Sequence, residues 1–228
     1  MTKISIIIPA LNEEEGIEGV IRAIPKNGLE KTGFDVQILV VDGNSRVRTR
    51  ELATKAGAEV IVEPRRGYGR AYKTGFACAT GEIIATADAD LTYPVEDIAE
   101  FARMLREENL DFITTNRFAY MDKDAMSFRN RIGNGVLNLA ARLLFRLSIK
   151  DSQSGMWVFK KDILDNLALK SDKMSFSEEL KIEACYFAKC RWREMPIQYK
   201  ARVGKIKLRG WRDGFRNLFY LIKKKIIR

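Results

Sequence analysis

Short apolar runs alternate with helical segments through the first half of this chain, and polar residues follow most of the runs. Strands that alternate with helices of about 10–15 residues form a parallel sheet covered by helices on both faces. Because the connections are right-handed, the carboxyl ends of the strands share one edge, where ligands bind. The strand-like runs are 3–8, 36–41, 59–62, 111–115 and the run from Ile83 up to Asp88, and the helical segments are 13–23, 48–56, 69–79 and 95–107. This alternation predicts an α/β fold.

The second half of the chain contains a long amphipathic segment. We predict helices over 128–147 and 177–188 and strands over 156–160 and 191–199. An apolar stripe on the first helix favours packing on the core over contact with a membrane. The stripe consists of Ile132, Val136, Leu139, Leu143 and Leu147. With no repeat or clear linker, we expect one domain over 1–210 and a helical extension over 211–228.

Two aspartates, Asp88 and Asp90, follow the apolar run that begins at Ile83. One residue separates them, so both side chains point to the same side of an extended backbone. Adjacent carboxylates repel each other unless a cation neutralises them, and Mg²⁺ or Mn²⁺ suits such a pair because these ions also hold substrate phosphates. Polar segments that merely leave a strand have the same pattern, so the metal interpretation depends on the rest of the chain.

Polar residues also end the first two strands. The first strand is not followed by G-x-G-x-x-G and the chain has no Walker A sequence, which argues against a dinucleotide-binding Rossmann site or a P-loop. A nucleotide site of another type fits better, with carboxylates from Glu13 and Asp42 and backbone from Pro9 and Ala10. Asn12 also follows the first strand. Glu13 is equally explained as an acid at a helix start.

A glycine-rich basic segment, Arg65–Arg70, precedes the helical segment at 69–79. Glycines and Arg70 at a helix start suit close approach to a phosphate. A basic turn before a helix has the same composition, so both interpretations stay open.

The chain has no histidine among its 228 residues, which excludes Ser-His-Asp and Cys-His catalysis and any histidine general base. Cys78, Cys185 and Cys190 lack metal or redox spacing, and we expect reduced thiols in a cytosolic protein. We expect neither a signal peptide nor a membrane span, because an acidic run follows the first apolar segment and no apolar run reaches about 18 residues.

The formal net charge of +10 is concentrated at the C-terminal end. Residues 1–199 carry 29 basic and 29 acidic side chains, whereas 200–228 carry 11 and 1. A helix over 211–226 would place an apolar stripe beside Arg216, Lys223 and Lys224, which is typical of a helix on a membrane surface. Its stripe consists of Trp211, Phe215, Leu218, Phe219, Ile222 and Ile226. Packing of the stripe on the core and nucleic-acid binding by the tail are the alternatives; the charge-neutral remainder argues against nucleic acid.

Seven segments in register resemble family 2 glycosyltransferases of the GT-A fold. The general family motifs are PALNEEEGI, VVDGNS, RGYGRAYKTGF and TADADLTYP. The segments TTNRF, DSQSGMWVF and EMPIQYKARVGKIKLRGWRDG resemble the branch of dolichyl- and polyprenyl-phosphate hexose synthases. The resemblance extends from Lys3 to about Asp213 and implies a Rossmann-type sheet covered by helices.

The resemblance implies roles for the matching residues on the donor side. Asp88 and Asp90 would hold the sugar diphosphate through Mg²⁺ or Mn²⁺, and Arg202 and Lys205 would close a basic loop over it. The residues expected to hold the base and ribose are Pro9, Ala10, Glu13 and Asp42. From their positions, we add Asn12 and Arg70 to the expected contacts with the nucleotide sugar.

On the acceptor side, the resemblance implies that Arg117 and Arg131 hold the acceptor phosphate. Either Glu178 or Glu179 lies where the family places an acid near the sugar, and the sequence does not choose between them. The implied reaction is inverting transfer of a hexose to dolichyl or polyprenyl phosphate, by a protein peripheral on the cytoplasmic face of the membrane. A relative of the same fold that glycosylates a glycan or a protein is the alternative, and the need for a membrane subunit stays open.

Three departures from the family pattern leave the donor open between GDP-mannose and UDP-glucose. Thr92 stands where the family often has a glutamine ligand to the metal, and Val47-Arg48 replaces a usual Asp-Gly. Gly43 follows Asp42, where many mannose-linked relatives have a second acid.

Overall fold

The computed structural model describes residues 1–204 and 210–227 and, for 210–213, the backbone alone. Short 3-10 turns span Val95–Asp97 and Lys161–Asn166, and a π turn spans Glu183–Phe187. The strands are β1 (Thr2–Ala10), β2 (Phe34–Asp42), β3 (Glu59–Val62), β4 (Ile83–Thr86), β5 (Phe112–Met121), β6 (Trp157–Lys160) and β7 (Trp192–Tyr199). The helices are α1 (Ile17–Ala23), α2 (Lys26–Lys31), α3 (Thr49–Lys55), α4 (Tyr68–Cys78), α5 (Ile98–Glu107), α6 (Phe128–Phe145), α7 (Phe176–Ile182) and α8 (Gly210–Ile226).

The strands form one sheet in the order β3-β2-β1-β4-β6-β5-β7. The predicted parallel sheet is confirmed for β1 to β4, and β5 and β7 also pair in parallel. Strand β6 is the exception, because it runs antiparallel to both of its neighbours. The loop that leads into β6 therefore reaches the sheet at the edge where the other strands end.

Helices cover both faces of the sheet, as predicted, and successive residues of β1 enter two separate cores. Ile6 and Ile8 pack in the core that contains α1 and α5. Ile7 packs on the opposite face with Tyr72 of α4. A Cβ on Gly75 of α4 would lie only 2.5 Å from Cγ2 of Ile7, so glycine allows this helix to pack directly on the strand.

Helix α6 turns a different face inward from the one that the apolar pattern predicts. Leu137, Ala141 and Phe145 are buried, and with them Asn138, whose Oδ1 accepts hydrogen bonds from the backbone N and hydroxyl of Ser152 at 2.7 and 2.8 Å. The prediction that the apolar stripe packs on the core is wrong for four of its five residues and holds for Leu147, which is half-buried and packs on the core. The exposed members are Ile132 (53%), Val136 (51%), Leu139 (50%) and Leu143 (71%), together with Phe128 (77%).

Helix α8 has the same inverted arrangement. Asn217, Leu221 and Lys224 are buried, and Nζ of Lys224 lies 2.6 Å from Oε1 of Glu183 and 3.2 Å from Oε1 of Glu179. Lys224 therefore anchors the helix to α7, and its expected place on an outer basic face is wrong. The apolar residues left exposed are Phe215, Phe219, Ile222 and Ile226.

The exposed apolar faces of α6 and α8 belong to two helices that pack against each other. We call these faces together the outer apolar surface. The alternative that the α8 stripe packs on the core holds only for Leu218, which is half-buried; the side chain of Trp211 lies outside the described residues. Along the described chain, no helix is both long and apolar enough to cross a membrane.

Candidate active site

The turn after β4 places Asp88 and Asp90 at the edge where the parallel strands end. Oδ1 of Asp88 accepts a hydrogen bond from the hydroxyl of Tyr68 over 3.3 Å. Oδ1 of Asp90 accepts from the hydroxyl and backbone N of Thr92, at 2.6 and 3.2 Å. Enclosure by the protein and the negative charge of Asp90 raise the pKa of Asp88 to about 7. The two carboxylates are therefore held together with too little positive charge around Asp88.

The carboxylate pair fits a divalent metal that is bound jointly by protein and substrate. Among the side chains described, those of 1–204 and 214–227, no group of three or more His, Cys, Asp or Glu is arranged to hold a metal. Mg²⁺ commonly binds through one or two carboxylates and takes its other ligands from phosphates and water. The hydroxyl of Thr92, which stands where the family often has a glutamine ligand, donates a hydrogen bond to Oδ1 of Asp90.

Arg202 joins the loop after β1 to the carboxylate pair. Its Nη2 lies 2.5 Å from Oε1 of Glu13, and its Nη1 lies 2.9 Å from Oδ2 of Asp90. The expected donor residues Glu13, Asp90 and Arg202 are thus direct neighbours. Lys205, which the resemblance assigns to the same basic loop, lies outside the described residues.

The loops after β1 and β2 are tied together through Ser45. The buried carboxylate of Asp42 accepts hydrogen bonds from the backbone N of Ser45, at 2.9 Å, and from its hydroxyl. Oγ of Ser45 accepts in turn from the backbone N of Asn12 at 2.7 Å. Asn12 has a φ of 53°, a left-handed conformation that asparagine tolerates. Asn12 and Asp42 are therefore joined through Ser45, and their contacts with a nucleotide stay a prediction.

Pro9 and Ala10 lie at the end of β1, directly beside the end of β2, where Ala10 pairs with Asp42. The backbone N of Glu13 donates to Oγ1 of Thr49 at 2.9 Å, which ties the loop after β1 to the start of α3. The residues expected to hold base and ribose thus lie along one stretch of the sheet edge. Their contacts with a nucleotide stay a prediction.

Arg117 lies in β5 and forms a buried ion pair with Asp151. Its Nε and Nη2 donate to the carboxylate over 2.7 and 2.9 Å, and its backbone N donates over 3.0 Å. Nζ of Lys181 donates to the carbonyl of Asp151 at 2.7 Å, and burial lowers the pKa of Lys181 to about 8. Arg117 is therefore a structural residue of this edge, and its contact with an acceptor phosphate stays a prediction.

The loop before β6 approaches the carboxylate pair as closely as a glycine allows. The backbone N of Gly155 donates to the hydroxyl of Tyr93 at 2.7 Å, and its carbonyl accepts from the hydroxyl of Thr86 at 2.9 Å. A Cβ on Gly155 would lie 2.3 Å from the hydroxyl of Tyr68 and 3.6 Å from Oδ1 of Asp88. The DSQSG motif and the TADAD motif therefore meet in space.

The structure gives Glu178 and Glu179 different surroundings. Glu179 accepts hydrogen bonds from the backbone N of Lys170 and Ser171 at 2.9 and 2.8 Å, and holds the loop before α7. Oε1 of Glu178 accepts from the side-chain amide of Gln153, and its buried Oε2 has no hydrogen-bond partner among the described residues. Burial raises the pKa of Glu178 to about 8. Glu178 is therefore the acid that contacts the DSQSG loop.

The glycine-rich segment before α4 packs on the loop before α7. A Cβ on Gly67 would lie 2.0 Å from the carbonyl O of Asp172, and one on Gly69 would lie 2.5 Å from that of Ser171. Nη2 of Arg70 lies 2.6 Å from Oδ2 of Asp172. This packing explains why positions 67 and 69 are glycines. The donor contact expected of Arg70 stays a prediction.

Arg131 is exposed near the start of α6, and its Nη2 lies 3.3 Å from Sδ of Met121 at the end of β5. The two arginines expected at the acceptor phosphate therefore lie on consecutive elements, Arg117 on β5 and Arg131 on α6. That role stays a prediction.

Sequence reasoning missed four side chains that shape this edge. The hydroxyl of Tyr68 donates to Asp88, and the hydroxyl of Tyr93 accepts from the backbone N of Gly155. Asn138 of α6 and Asn217 of α8 hold the DSQSG loop, with Nδ2 of Asn217 3.1 Å from Oε1 of Gln153. An asparagine inside an otherwise amphipathic helix is the signal that could have identified the last two.

Known proteins resemble this chain along most of its length. Residues 5–168 match the family model described as glycosyl transferase family 2. The chain is 32% identical over 222 residues to the low-salt glycan biosynthesis hexosyltransferase Agl6 of Haloferax volcanii, covering 96% of this chain and 53% of Agl6. It is 27% identical to the dolichyl-phosphate hexose transferase of the same organism, over 92% of this chain and 89% of that protein. It is 29% identical to the dolichol-phosphate mannosyltransferase of Pyrococcus furiosus, over 91% and 60%. The chain thus spans about half the length of Agl6.

Solved structures confirm the fold. Glucosyl-3-phosphoglycerate synthase from Mycobacterium tuberculosis, in complex with Mn²⁺ and UDP-glucose, superimposes with a TM-score of 0.76 at 21% identity. The match covers 98% of this chain and 79% of that protein. At this identity the likeness concerns the GT-A fold alone.

Proposed function

The chain belongs to glycosyl transferase family 2, and we propose that it transfers a hexose from a nucleotide sugar to dolichyl or polyprenyl phosphate. Two relatives of similar sequence are named as a dolichyl-phosphate hexose transferase and a dolichol-phosphate mannosyltransferase, and both match more than nine-tenths of this chain. We propose that the enzyme works as a peripheral protein on the cytoplasmic face of the membrane. The donor is GDP-mannose or UDP-glucose.

The proposed reaction needs no protein base, which agrees with a chain that has no histidine. A phosphate monoester has its second pKa at about 6, so the acceptor is largely ionised at neutral pH. One of its oxygens forms a bond to the anomeric carbon while the bond from that carbon to the nucleoside diphosphate breaks, with inversion. The residues must therefore position the acceptor and stabilise the departing diphosphate.

Charge at the sheet edge suits the departing diphosphate. Arg202 lies beside Asp90, and the arginine guanidinium binds phosphate oxygens in a bidentate manner. A divalent metal held by Asp88 and Asp90 would supply further charge neutralisation when bound. We propose that Gln153 of the DSQSG loop and its hydrogen-bond partner Glu178 orient hydroxyl groups of the transferred sugar.

The observation that most supports a lipid acceptor is the outer apolar surface. Helices α6 and α8 bury asparagines, a lysine and few large apolar residues, and expose phenylalanines, leucines and isoleucines. A water-soluble face of a protein seldom exposes so many large apolar side chains together. The DSQSG loop is hydrogen-bonded to both helices: the backbone N of Ser152 donates to Asn138, and the side-chain amide of Asn217 donates to Gln153. A membrane surface at these helices would therefore place a lipid phosphate close to the site.

The direct test measures sugar transfer into the organic phase. Radiolabelled GDP-mannose or UDP-glucose is incubated with the protein, Mn²⁺ and vesicles that contain dolichyl phosphate. We expect label in the organic-solvent extract with one of the two donors and none when dolichyl phosphate is omitted. Transfer only to a glycan or peptide would instead support the alternative, a family 2 enzyme with a soluble acceptor.

A second test concerns the membrane contact. Truncation before α8 is unsuitable, because Lys224 pairs with buried Glu179 and Glu183 and its loss would disturb the fold. Phe215→Ser with Phe219→Ser changes only exposed side chains. We expect this double variant to lose co-sedimentation with anionic vesicles.

The matched control is Val62→Ser, because Val62 is also exposed but lies on the edge strand β3 instead of on α6 or α8. It should co-sediment like the parent protein. If the double variant and the parent bind vesicles equally, the outer apolar surface is not the membrane contact.

A further inference from the structure

The guanidinium of Arg202 occupies the space between two carboxylates that belong to different parts of the sheet edge. Its Nη2 is 2.5 Å from Oε1 of Glu13, and its Nη1 is 2.9 Å from Oδ2 of Asp90. All three side chains are largely shielded, with relative exposures of 22% for Arg202, 10% for Glu13 and 7% for Asp90. Ion pairs in such surroundings are screened much less by solvent than pairs on the open surface.

The backbone holds Arg202 in this place. The backbone N of Lys200 donates to the carbonyl of Thr92 at 3.0 Å, and that of Val203 donates to the carbonyl of Asp90 at 3.0 Å. The segment that carries Arg202 therefore lies along the turn that carries Asp90. The contact is anchored on both sides of the arginine, unlike a long side chain that reaches out from a remote surface.

The two oxygens of Asp90 are used differently. Oδ1 accepts hydrogen bonds from Thr92 and is directed into the turn. Oδ2 is the oxygen that contacts Arg202. A cation that coordinates Asp90 beside Asp88 needs an oxygen of this carboxylate, and two positive charges at Oδ2 repel each other.

We propose that Arg202 is the resident cation of the Glu13–Asp90 pair in the donor-free protein, and that it exchanges places with the divalent metal when the donor diphosphate arrives. The inference rests on the proposed metal and donor site. The diphosphate gives the guanidinium a new anionic partner, while the metal takes its place at Asp90. Metal alone must displace Arg202 without that compensation, so it binds weakly, whereas metal and nucleotide bind together.

The proposal has a reciprocal consequence for the two ligands. Because coupling between binding sites is symmetric, each ligand strengthens the other by the same factor. Removal of the guanidinium should strengthen the binding of metal alone and weaken the binding of a nucleoside diphosphate in the presence of metal. These opposite signs separate an exchange from a simple loss of a donor contact.

The experiment measures Mn²⁺ binding without nucleotide, by electron paramagnetic resonance of the free ion, for the parent protein, Arg202→Ala and Arg65→Ala. Arg65 is the matched control, because it forms a bidentate pair with the buried Glu63 at the end of β3 and its loss removes the same charge. We expect Arg202→Ala to bind Mn²⁺ alone at least tenfold more tightly than the parent, and Arg65→Ala to stay within twofold. Calorimetry with Mn²⁺ present should show weaker binding of GDP and UDP to Arg202→Ala.

The outcomes distinguish this inference from the proposed function. Equal tightening in Arg202→Ala and Arg65→Ala would show a general charge effect and overturn the exchange. Unchanged or weaker Mn²⁺ binding in Arg202→Ala would also overturn it, provided that the parent binds a nucleoside diphosphate with Mn²⁺. A parent protein that binds neither GDP nor UDP in the presence of Mn²⁺ would instead refute the proposed donor site.

Discussion

Replacement of Arg117 by alanine should destabilise the protein far more than the loss of an ordinary surface arginine. The carboxylate of Asp151 is fully buried and accepts two hydrogen bonds from the guanidinium, at 2.7 and 2.9 Å. Without the guanidinium, the carboxylate keeps hydrogen bonds from the backbone N–H groups of Arg117 and Gln153 but has lost its paired charge. Breaking a buried ion pair by removing one partner costs about 3–5 kcal/mol. For a chain of this size, 1 kcal/mol shifts Tm by about 2–4 °C, so we expect Tm to fall by roughly 6–20 °C.

The assay is thermal and urea unfolding of Arg117→Ala beside a matched control, Arg193→Ala. Arg193 pairs with Glu108 at 2.5 Å, but both side chains are substantially exposed, at 44% and 37%. Exposed pairs contribute about 0–1 kcal/mol, so the control should unfold close to the parent protein. A double variant, Arg117→Ala with Asp151→Ala, removes the stranded charge and should recover part of the loss.

The pH dependence gives an independent check of the same reasoning. The guanidinium keeps the pKa of Asp151 below its usual range despite burial. In Arg117→Ala that pKa should rise above the unfolded value, so protonation relieves the buried charge at low pH. The destabilisation should therefore be larger at pH 8 than at pH 5. The reasoning is refuted if Arg117→Ala costs no more than Arg193→Ala, or if the double variant is less stable than the single one.

Three other substitutions test the carboxylates and the DSQSG loop. Asp90→Asn should abolish metal-dependent transfer but preserve the fold, because it removes a like charge beside Asp88; near-parental turnover with Mg²⁺ or Mn²⁺ would contradict the assignment. Burial raises the pKa of Glu178 to about 8 in the folded state, so the stability of the wild-type protein falls as pH rises from the pKa of the unfolded state toward 8. Glu178→Gln should therefore raise Tm more at pH 8 than at pH 5; an equal change at both pH values would contradict this reasoning. Gly155→Ala places a Cβ 2.3 Å from the hydroxyl of Tyr68, so it should lower the rate of transfer more than the affinity for nucleotide. Kinetics equal to those of the parent protein would show that the loop accommodates the methyl group and would contradict this prediction.

The sequence predicts much of the fold because its elements are locally consistent. The apolar runs at 3–8 and 36–41 are short and β-branched, and the structure places them in β1 and β2. The direction of β6 could not be predicted in the same way, because a four-residue strand has the same composition in either direction. The orientation of β6 depends on the long connection between β5 and β6, which contains α6, and no local sequence pattern indicates where that connection enters the sheet.

The orientation of α6 and α8 shows a second limit. Periodicity identifies which residues share a helix face, but it does not say whether that face is buried in a core or exposed. The answer depends on polar residues on the opposite face, here Asn138, Asn217 and Lys224, and on partners far away in sequence, such as Glu183. Similarly, the spacing of Glu178 and Glu179 shows two adjacent acids, and only the packing of α7 assigns them to different loops.

The pairing of β6 with β4, from which it is far away in sequence, has a consequence for biosynthesis. Strand β4 pairs with β1 on one side and with β6 on the other, and β6 begins about 70 residues after β4 ends. At a synthesis rate of about 5–20 residues per second, the outer edge of β4 stays uncovered on the ribosome for roughly 4–14 s. Its unpaired N–H and C=O groups and its apolar side chains are then a template for pairing with another nascent chain. The yield of native protein should therefore depend on how fast the ribosome translates residues 87–156, and a chain that stalls there carries an open sheet edge.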